Sequence, residues 1–340
     1  MKKFAFLVHP RDISDMARPL PWIRFVPNRI QDVIIRNLRG RSGFIVWSKF
    51  NVYDKAEGWI IFVSLTGEQI MSLPRNYVQR RILDAILYAQ NNLGVQLVGL
   101  GAYTAPITDA GKWVIRQNQI KLNVTHGDSF SVAIAMEGIE KVAKKINRPL
   151  SESKIAVVGA YGLIGKALSR LLANKCKSLY LIGRNEFKLS ALCNILESAS
   201  AKIIPSLIIE DISDCDYIIT ATSYSKSLIQ SSHLKQGAVV YDLAQPINLH
   251  PHVIKDRPDV ARIDGCYTNI PGINLGVEMG PPAGTTFSCL AETIMQALEG
   301  EEENHVGEIE LDHVQKTRLW AQKYGFTHAD FTNYGNKLVI

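Results

Sequence analysis

Three glycines stand at three-residue spacing where an apolar run, Lys154–Val158, gives way to a segment of helical character. Glycine is required at such a point because the backbone turns sharply and must approach a pyrophosphate with no side chain between them. The first N–H groups of the following helix then bind the negative charge. The pattern predicts a strand–turn–helix unit that binds a dinucleotide. The residues expected to contact the cofactor in this turn are Gly159, Tyr161, Gly162, Leu163, Ile164 and Gly165.

A second apolar strand, Ser178–Ile182, follows at the distance expected for such a unit and ends in a basic segment. A site for NAD usually carries Asp or Glu at this point, where the carboxylate holds the ribose 2′-hydroxyl. This chain carries Arg184 instead, with Asn185 and Lys188 beside it, and cationic side chains suit a 2′-phosphate. The sequence therefore predicts NADPH as the cofactor, with these three residues at its adenosine end.

Further apolar runs alternate with helical segments after this unit, at 217–221, 238–242 and 262–264. Strands that alternate with helices predict an α/β fold with a doubly wound parallel sheet, here a Rossmann-like NADP-binding domain. Ligands of such sheets bind at the carboxyl ends of the strands. Thr222, Ser223 and Asp242 stand at such ends, so we expect them to line the cofactor cleft.

The 340 residues are enough for about two domains. Runs of β-branched and aromatic residues, together with a helical pattern over 76–93, predict an N-terminal α/β domain over residues 1–150 that binds the substrate and its carrier. We expect the NADP-binding domain over residues 151–280. A C-terminal helical segment that carries the nucleophile is expected over residues 281–340.

Bulk composition narrows the class of protein. Hydrophobic residues make up 46% of the chain and charged residues 21%, which is ordinary for a soluble α/β protein. No apolar run has the length needed to span a bilayer. Five cysteines without a Cys-x-x-Cys pair fit a reduced cytoplasm better than a disulfide scaffold, and no cluster of Cys and His indicates a metal site. We therefore expect a cytoplasmic protein with no metal and no transmembrane segment.

The net charge of +6 is concentrated in residues 1–41, which hold nine Lys or Arg against three Asp or Glu. A patch of this kind attracts an acidic protein or an anionic membrane surface, so peripheral membrane contact is one interpretation. The arginines are spread among apolar residues and prolines, and nucleic acid is therefore the partner that the pattern favours least. The alternative is a solvated basic edge without a partner.

One cysteine differs from the other four in its position on a helix. Over residues 286–298, apolar side chains at spacings of three and four form one stripe, and Cys289 lies roughly opposite, on the polar side. It falls in the first turn, where we expect Thr285 or Thr286 to cap the helix and where the helix dipole favours a thiolate. A catalytic nucleophile requires a lowered pKa together with partial access to the substrate. The alternative is an inert thiol.

A thiolate beside NADPH indicates a specific chemistry. The cysteine attacks a thioester and holds the acyl group, hydride reduces that group, and collapse of the thiohemiacetal releases an aldehyde. The reaction needs a donor for the developing oxyanion and a source of protons. His126, in the polar turn at 125–129, is one candidate, and the backbone N–H groups of that turn are another. The segment 280–285 would place Cys289 near the nicotinamide.

These residues resemble a known family, the long-chain acyl-[acyl-carrier-protein] reductases best known from cyanobacteria. The resemblance runs from about residue 56 to residue 331 and covers the segments 80–90, 100–104, 157–165, 287–292 and 323–326, with the polar turn at Gly127. The Phe-x-Cys-x-Ala-Glu match is the most telling, since in that family the cysteine accepts the acyl group, and this role carries over to Cys289. The resemblance implies NADPH as reductant and a fatty aldehyde as product. It also implies a long-chain acyl thioester on an acidic acyl carrier protein as substrate, and a coenzyme A thioester is the alternative. Because free aldehydes are reactive, an aldehyde-consuming enzyme is a further expected partner.

Three features depart from the family pattern. The family's Gly-Asn-Thr is Gly127-Asp128-Ser129 here, which places an acidic residue in the cleft. Tyr161 replaces a small residue in the glycine turn. The segment 264–284 matches poorly and is expected to shape the acyl pocket, so acyl chain length and carrier preference stay open.

Other interpretations share the same architecture. The segment Asn123–Thr125 is similar to shikimate and quinate dehydrogenases, but His126 and Gly127 stand where those enzymes carry Pro and a catalytic Lys. Glutamyl-tRNA reductase also uses a thioacyl cysteine, yet in its first domain, and this chain has no cysteine before Cys176. A carbonyl or alcohol oxidoreductase of the shikimate type, and a regulatory protein that binds NADP without chemistry, are the alternatives.

Overall fold

The computed structural model describes residues 1–11, 15, 18, 22, 25–27, 43–224, 228–244 and 247–340. The chain divides into two compact units, each assembled from three segments. Unit 1 consists of Met1–Phe130, Asn269–Glu308 and Lys316–Phe326. Unit 2 consists of Ser131–Thr268, Ile309–Gln315 and Thr327–Ile340. Much of the predicted basic segment 1–41 lies outside the described residues.

The strands, in chain order, are β1 Lys2–Val8, β2 Phe44–Val52, β3 Ala56–Val63, β4 Leu97–Leu100, β5 Asn123–Thr125, β6 Lys154–Val158, β7 Ser178–Ile182, β8 Lys202–Ser206, β9 Tyr217–Thr220, β10 Val239–Asp242, β11 Ala261–Asp264, β12 Tyr267–Asn269, β13 Thr285–Phe287, β14 Thr327–His328, β15 Thr332–Asn333 and β16 Asn336–Lys337. The α-helices of the described residues are α1 Gly67–Ser72, α2 Arg75–Leu93, α3 Thr104–Ile107, α4 Lys112–Ile115, α5 Asp128–Lys145, α6 Leu163–Leu172, α7 Glu186–Ile195, α8 Pro251–Asp256, α9 Ser288–Glu299 and α10 Leu311–Tyr324. None of these helices is both long enough and apolar enough to cross a membrane.

Unit 1 is built on a five-stranded sheet with the order β2-β3-β1-β4-β5. β1 pairs in parallel with β3 and with β4, and β4 pairs in parallel with β5. β2 and β3 form an antiparallel hairpin. Its turn is closed by a hydrogen bond of 2.9 Å from the Lys55 N–H to the Val52 carbonyl. Tyr53 and Asp54 between them have φ of 49° and 54°, the left-handed values that a tight hairpin turn requires.

The two faces of this sheet are covered by different helices. On one face α2 buries Val78, Ile82 and Ile86, which recur at helical spacing, against strand residues such as Ile61 and Val98. The helix predicted over 76–93 is thus confirmed as α2. On the other face α9 approaches β4 so closely that a Cβ at Gly99 would lie 2.9 Å from Cγ2 of Thr293. Successive strand residues point to opposite faces, so both helices bury side chains of the same strands.

Unit 2 is built on a six-stranded sheet with the order β11-β10-β9-β6-β7-β8, and its neighbouring strands are all parallel. Counted along the chain from β6, this is the order of a doubly wound sheet, in which the direction of strand addition reverses between β6 and β9. The predicted fold class is therefore confirmed. β8 is one of the two edge strands of this sheet, and as expected for an edge strand it tolerates a proline, Pro205, which has no N–H to donate.

The division into units differs from the predicted boundaries at 150 and 280. The chain leaves unit 1 at Phe130, inside α5, and returns to it at Asn269. The helix that carries Cys289 therefore belongs to the same unit as the N-terminal sheet. The physical reason is the packing of α9 on the sheet, with Thr293 against Gly99.

Candidate functional site

The glycine turn of unit 2 is compact and is held by backbone contacts. Gly159 has a φ of 88°, and a Cβ there would lie 2.7 Å from the carbonyl oxygen of Ala221. A Cβ at Gly165 would lie 2.9 Å from the carbonyl carbon of Gly159. The N–H of Gly162 donates to the carbonyl of Gly159 at 2.9 Å. The three glycines therefore serve a positive φ and two close backbone approaches, as the predicted turn requires.

Helix α6 begins at Leu163, directly after the N-cap Gly162. Its N-cap is Gly162, in an extended conformation with φ −66° and ψ 170°, and no side chain of the described residues caps it by a hydrogen bond. Leu163 and Ile164 form the first turn of this ten-residue helix and are partly exposed. A helix start of this kind offers N–H groups and the positive end of the helix dipole, which fits the pyrophosphate of a dinucleotide.

The basic residues after β7 lie at the surface. Asn185 is the N-cap of α7, and its side chain accepts the N–H of Lys188 at 3.0 Å. The guanidinium of Arg184 lies 5.6 Å from the ring centre of Tyr224, and Nζ of Lys188 lies 5.5 Å from the ring centre of Tyr161. Two exposed cations next to aromatic rings suit a phosphate group that is partly open to solvent.

Tyr161, the departure from a small residue in the turn, lies between the glycine turn and this basic segment. Its ring packs so closely on Gly183 that a Cβ there would be 2.9 Å from Cδ1 of the tyrosine. Its hydroxyl accepts the backbone N–H of Arg184 at 3.1 Å. The tyrosine therefore adds an aromatic surface and a hydroxyl to the predicted adenosine end of the site.

Residues after β9 complete this part of the site, since β9 is the neighbour of β6 at the point where the strand order reverses. Thr222 is partly buried, Ser223 is exposed, and the Thr222 hydroxyl accepts the N–H of Tyr224 at 2.8 Å. A Cβ at Gly159 would lie 3.2 Å from Cβ of Thr222. The structure thus brings Thr222 next to the glycine turn, at the position where ligands of doubly wound sheets bind.

Asp242 has a different environment from the one expected of a cleft residue. Its buried carboxylate forms an ion pair of 3.0 Å with Arg262 and accepts the hydroxyl of Thr220 at 2.5 Å. Arg262 also pairs with Asp264 at 2.5 Å, and its guanidinium lies 4.1 Å from the ring centre of Tyr334. These contacts engage both oxygens of Asp242 inside unit 2. The geometry therefore makes Asp242 a structural counter-ion of Arg262 rather than a ligand open to the cofactor.

Cys289 lies in unit 1, partly buried in the first turn of α9. The N-cap of this twelve-residue helix is Phe287, which is extended at φ −68° and ψ 139° and makes no side-chain cap hydrogen bond. The expected cap by Thr285 or Thr286 is wrong. Thr285 instead donates its hydroxyl to the carbonyl of Pro282 at 2.7 Å, because it belongs to the short strand before the helix. The predicted proximity of Cys289 to the nicotinamide stays a prediction.

Helix α9 is buried on nearly all sides, which the periodicity of its sequence did not indicate. Glu292, Thr293 and Gln296, which lie on the polar side of the helix with Cys289, are all fully buried. Buried polar groups are stable when they are hydrogen-bonded. The Thr293 hydroxyl donates to the carbonyl of Cys289 at 2.9 Å, and the Gln296 amide donates to the carbonyl of Glu303 at 2.9 Å. Cys289 thus lies at the partly exposed start of a buried polar helix face.

Glu292 connects this helix to the turn before α5. Its carboxylate accepts the N–H of Phe130 at 2.6 Å and the hydroxyl of Thr125 at 3.3 Å. Glu292 stands three residues after Cys289, so the two side chains share one face of the helix. No local pattern in the sequence assigns a role to Glu292 by itself. Its partners come from a segment 162 and 167 positions away, and no local pattern reveals contacts at that separation.

The turn between β5 and α5 packs on the backbone of Cys289. A Cβ at Gly127, whose φ is 71°, would lie 2.7 Å from Cα and 2.8 Å from the carbonyl carbon of Cys289. His126 is buried, and its backbone N–H donates to the carbonyl of His305 at 3.1 Å. Its ring atom Nδ1 accepts the backbone N–H of Asp128 at 2.9 Å. In the neutral ring the proton is therefore on Nε2, which is the donor nitrogen.

Asp128 begins α5 and completes this turn. Its side chain is 18% exposed, and its Oδ2 lies 3.7 Å from Nδ1 of His126. Burial, together with the charge of Glu292, raises the pKa of Asp128 from 3.8 to about 8. At neutral pH the carboxyl group is therefore largely protonated. The acidic residue that distinguishes this turn from the acyl-reductase pattern is a neutral acid rather than a fixed negative charge.

The remaining cysteines lie in environments that favour inert thiols. None of the five, all of which the structure describes, forms a disulfide. Burial raises the pKa of Cys176 to about 11 and that of Cys215 to about 12. It also raises the pKa of Cys193. The partly buried Cys266 has its Sγ 3.8 Å from the carbonyl of Ser131. Because the thiolate is the nucleophile, the buried thiols are poor candidates for catalysis.

The N-terminal basic residues that the structure describes have acidic neighbours. Lys2 pairs with Glu302 at 2.7 Å. Arg11 and Arg18 both pair with Asp15, at 2.7 and 3.0 Å. The other arginines of the predicted basic patch lie outside the described residues, so the acidic partner stays a prediction.

A cluster of metal-ligand type is present in unit 1. Within the part of the chain that the structure describes, Glu301, Glu303 and His305 place one ligand atom each within 4.8 Å of the others. Glu301 also forms an ion pair with Lys316. Exposed acidic groups of this kind are common without an ion, and the prediction of a chain without a metal stays a prediction.

Comparison with known families finds one family model that matches part of the chain, within unit 2. The family model described as shikimate / quinate 5-dehydrogenase matches residues 141–266. This span lies inside unit 2 and contains the glycine turn, the basic end of β7 and the residues after β9. The match therefore covers the residues that the sequence analysis assigned to the cofactor.

Two curated proteins are similar over larger parts of the chain. The aminotransferase PigE of Serratia sp. is 26% identical over 355 aligned positions, which cover 99% of this chain and 41% of that protein. The long-chain acyl-[acyl-carrier-protein] reductase of Synechococcus elongatus is 28% identical over 232 positions, which cover 65% of this chain and 67% of that protein. The chain thus spans about two-fifths of the length of the first relative.

Solved structures of dehydrogenases and reductases are also similar. The quinate dehydrogenase of Corynebacterium glutamicum in complex with NAD has 12% identity and a TM-score of 0.43, and the match covers 94% of this chain and 99% of that one. The nucleotide-binding domain of glutamyl-tRNA reductase from Thermoplasma volcanium has 22% identity and a TM-score of 0.29, with 39% and 84% covered.

The sheet order, the glycine turn and the family match together support an NAD(P)-dependent oxidoreductase. They agree with the predicted nicotinamide cofactor, and the exposed cations Arg184 and Lys188 favour NADPH. The more specific resemblance to acyl reductases rests on the Synechococcus protein.

Proposed function

We propose that this protein reduces a long-chain fatty acyl thioester to an aldehyde with NADPH, through a covalent thioester on Cys289. The observation that carries the proposal is the position of this thiol, partly exposed in the first turn of α9 and next to the turn that holds His126 and Asp128. The similarity to the acyl reductase of Synechococcus elongatus supports the same reaction.

In the first step, Sγ of Cys289 attacks the carbonyl carbon of the thioester. A new carbon–sulfur bond forms to Cys289, and the bond to the carrier sulfur breaks. The positive end of the α9 dipole stabilises negative charge on Sγ. Nε2–H of His126 is the proposed donor to the oxyanion that develops during the attack.

The second step releases the aldehyde. NADPH, when it is bound by the turn from Gly159 to Gly165 with Arg184 and Lys188 at its 2′-phosphate, supplies the hydride. Cys289 holds the acyl group until that point, and the departing thiolate is stabilised again by the start of α9. The product is a fatty aldehyde, and Cys289 returns to its starting state.

The carrier of the acyl group is proposed to be an acidic acyl carrier protein, with a coenzyme A thioester as the second candidate. The excess of basic residues in 1–41 would attract such a carrier and speed its encounter with the enzyme. Peripheral contact of the same segment with an anionic membrane is the competing use. Because free aldehydes are reactive, an enzyme that consumes the product is a plausible partner.

The first test is the intact mass of the protein after incubation with a long-chain acyl carrier protein in the absence of NADPH. We expect a mass increase of one acyl group, and we expect NADPH to discharge the group as an aldehyde. Cys289→Ala should show no increase but should bind NADPH as the wild type does. Cys193→Ala is the matched control, since Cys193 is also partly buried near a helix surface, and it should be acylated normally.

Other outcomes would redirect the assignment. If carrier and coenzyme A thioesters of several lengths leave no adduct on the wild type, the covalent route is wrong. Turnover of a small carbonyl or alcohol substrate would then indicate an oxidoreductase of the shikimate type. NADPH binding without any turnover, unaffected by Cys289→Ala, would indicate a regulatory protein.

A further inference from the structure

We propose that Asp128 is the catalytic acid of the acyl-transfer step and gives its carboxyl proton to the sulfur of the departing carrier. The inference rests on the proposed function, since it requires Cys289 to accept the acyl group. It assigns a chemical role to the residue at which this chain departs from the Asn of the acyl-reductase pattern.

Asp128 belongs to a cluster of titratable groups within unit 1. His126 faces it from the same turn, with 3.7 Å between Nδ1 and Oδ2. Glu292 faces it from α9, and its charge acts on Asp128. Cys289 stands three residues before Glu292 on the same helix, and Gly127, the residue before Asp128, packs on the Cys289 backbone. The acid and the thiol are therefore held by the same close contact between the turn and the helix.

The contacts determine which member of the cluster holds the proton. Glu292 accepts hydrogen bonds from the N–H of Phe130 and from the hydroxyl of Thr125, which suits a carboxylate. A second buried negative charge beside it is costly, so the neighbouring carboxyl stays neutral. Nδ1 of His126 already accepts the N–H of Asp128 and takes no second proton in that arrangement. The transferable proton is therefore on Asp128.

The step balances without any further reactant. Sγ of Cys289 forms a bond to the acyl carbon, the electron pair of the breaking bond goes to the carrier sulfur, and this sulfur takes the proton of Asp128. An acid with a pKa of about 8 is well matched to a thiol, whose ordinary pKa is about 8.5, so little energy is lost in the transfer. The Asp128 carboxylate then regains a proton from water through its exposed edge.

The test is the rate of adduct formation on Cys289 in single turnovers without NADPH, followed by intact mass across the neutral and alkaline range. In the wild type we expect the rate to fall as Asp128 ionises, near pH 8. Asp128→Asn keeps the shape of the side chain but has no acidic proton to transfer. We expect it to react at least about tenfold more slowly at neutral pH and to lose the alkaline decline.

Asp312→Asn is the matched control, since Asp312 is also an acidic residue in the first turn of a helix but is exposed. It should keep both the rate and the pH profile. If Asp128→Asn also keeps them while the wild type is acylated normally, the inference is wrong and the proposed function is intact. If the wild type forms no adduct at all, the proposed function itself fails.

A measurement without substrate follows the proton directly. Infrared titration of the wild type should show a protonated carboxyl that ionises near pH 8 and is absent in Asp128→Asn. Glu292→Gln should make it ionise at lower pH, because the neighbouring charge is removed. A wild-type protein without such a carboxyl at neutral pH would overturn the assignment of the acid, whatever the outcome with thioesters.

Discussion

Replacing Gly127 with alanine is expected to damage acyl transfer more than it damages the fold. A Cβ at this position would lie 2.7 Å from Cα and 2.8 Å from the carbonyl carbon of Cys289, whereas ordinary contact begins at 3.4 Å. The atoms on the other side of this contact are backbone, which cannot rotate away as a side chain can. The turn and the start of α9 must therefore separate by roughly 0.7 Å, the shortfall between these distances.

Two costs combine in the free energy of unfolding. A left-handed φ costs a residue with a Cβ roughly 1–2 kcal/mol, and overpacking costs about 1–3 kcal/mol. The lower entropy of the unfolded alanine chain returns about 0.4–1 kcal/mol. The expected loss is therefore about 1–5 kcal/mol. For the reaction, a misplacement on the order of 1 Å can cost about 10²-fold in rate.

Gly335→Ala is the control for the backbone term alone. Its φ of 78° is close to that of Gly127, and no described atom lies within 4 Å of the added Cβ. Single-turnover acylation and a fluorescence titration with NADPH would be measured on both variants. We expect Gly127→Ala to be acylated about a hundredfold more slowly and to bind NADPH normally, since the residues assigned to the cofactor belong to unit 2. Gly335→Ala should be acylated at the wild-type rate.

Equal rates of acylation in the two variants would mean that the contact between the turn and α9 does not set the position of the nucleophile. A loss of NADPH affinity in Gly127→Ala would also contradict this prediction, because the damage would then extend beyond unit 1.

Two further variants test unit 2. Arg262→Met should lower the free energy of unfolding by about 3–5 kcal/mol, because two buried carboxylates lose their shared cation. The control Lys175→Gln breaks an exposed ion pair with Glu140 and should cost about 0–1 kcal/mol. Equal losses for the two variants in urea denaturation would contradict this prediction. Burial alone would raise the pKa of Asp264, but the charge of Arg262 holds it below 3.8. In the wild type, the stabilisation by the Arg262–Asp264 pair is therefore present at neutral pH and is lost as the pH falls through the lowered pKa. Arg184→Gln should weaken NADPH binding by about 10-fold or more and leave NADH binding nearly unchanged, since only NADPH carries the 2′-phosphate. The control Arg170→Gln should leave the binding of both cofactors unchanged. An equal loss for both cofactors in Arg184→Gln would exclude a contact with that phosphate.

Much of unit 2 could be predicted because its signals are local. Glycine spacing and β-branched runs act within a few residues, and the strands Lys154–Val158 and Ser178–Ile182 have the expected bounds. The strand-end position of Asp242 was also predicted, but its pairing with Arg262 was not, because that partner comes from the next strand.

The polar part of the site in unit 1 could not be predicted in the same way. A helical pattern assigns polar residues to solvent, but Glu292 and Gln296 are buried. The partners of Glu292 come from a distant segment, and Gln296 donates to the carbonyl of Glu303 in the loop after the helix. The pKa of Asp128 likewise depends on burial and on a charge from another helix. The unit boundary escaped prediction for a related reason, since the segment that completes unit 1 follows the whole of the nucleotide-binding sheet.

That discontinuity has a consequence for how the protein is made. The strands of the unit 1 sheet are synthesised early, but α9, which covers one of its faces, is synthesised only after all six strands of the unit 2 sheet. Until Ser288–Glu299 has left the ribosome, the apolar residues around Gly99 lack this cover, and such surfaces favour aggregation. The contiguous sheet of unit 2 can form in the meantime. The residues predicted to bind the cofactor are therefore synthesised, and their sheet can form, before the proposed nucleophile Cys289 leaves the ribosome.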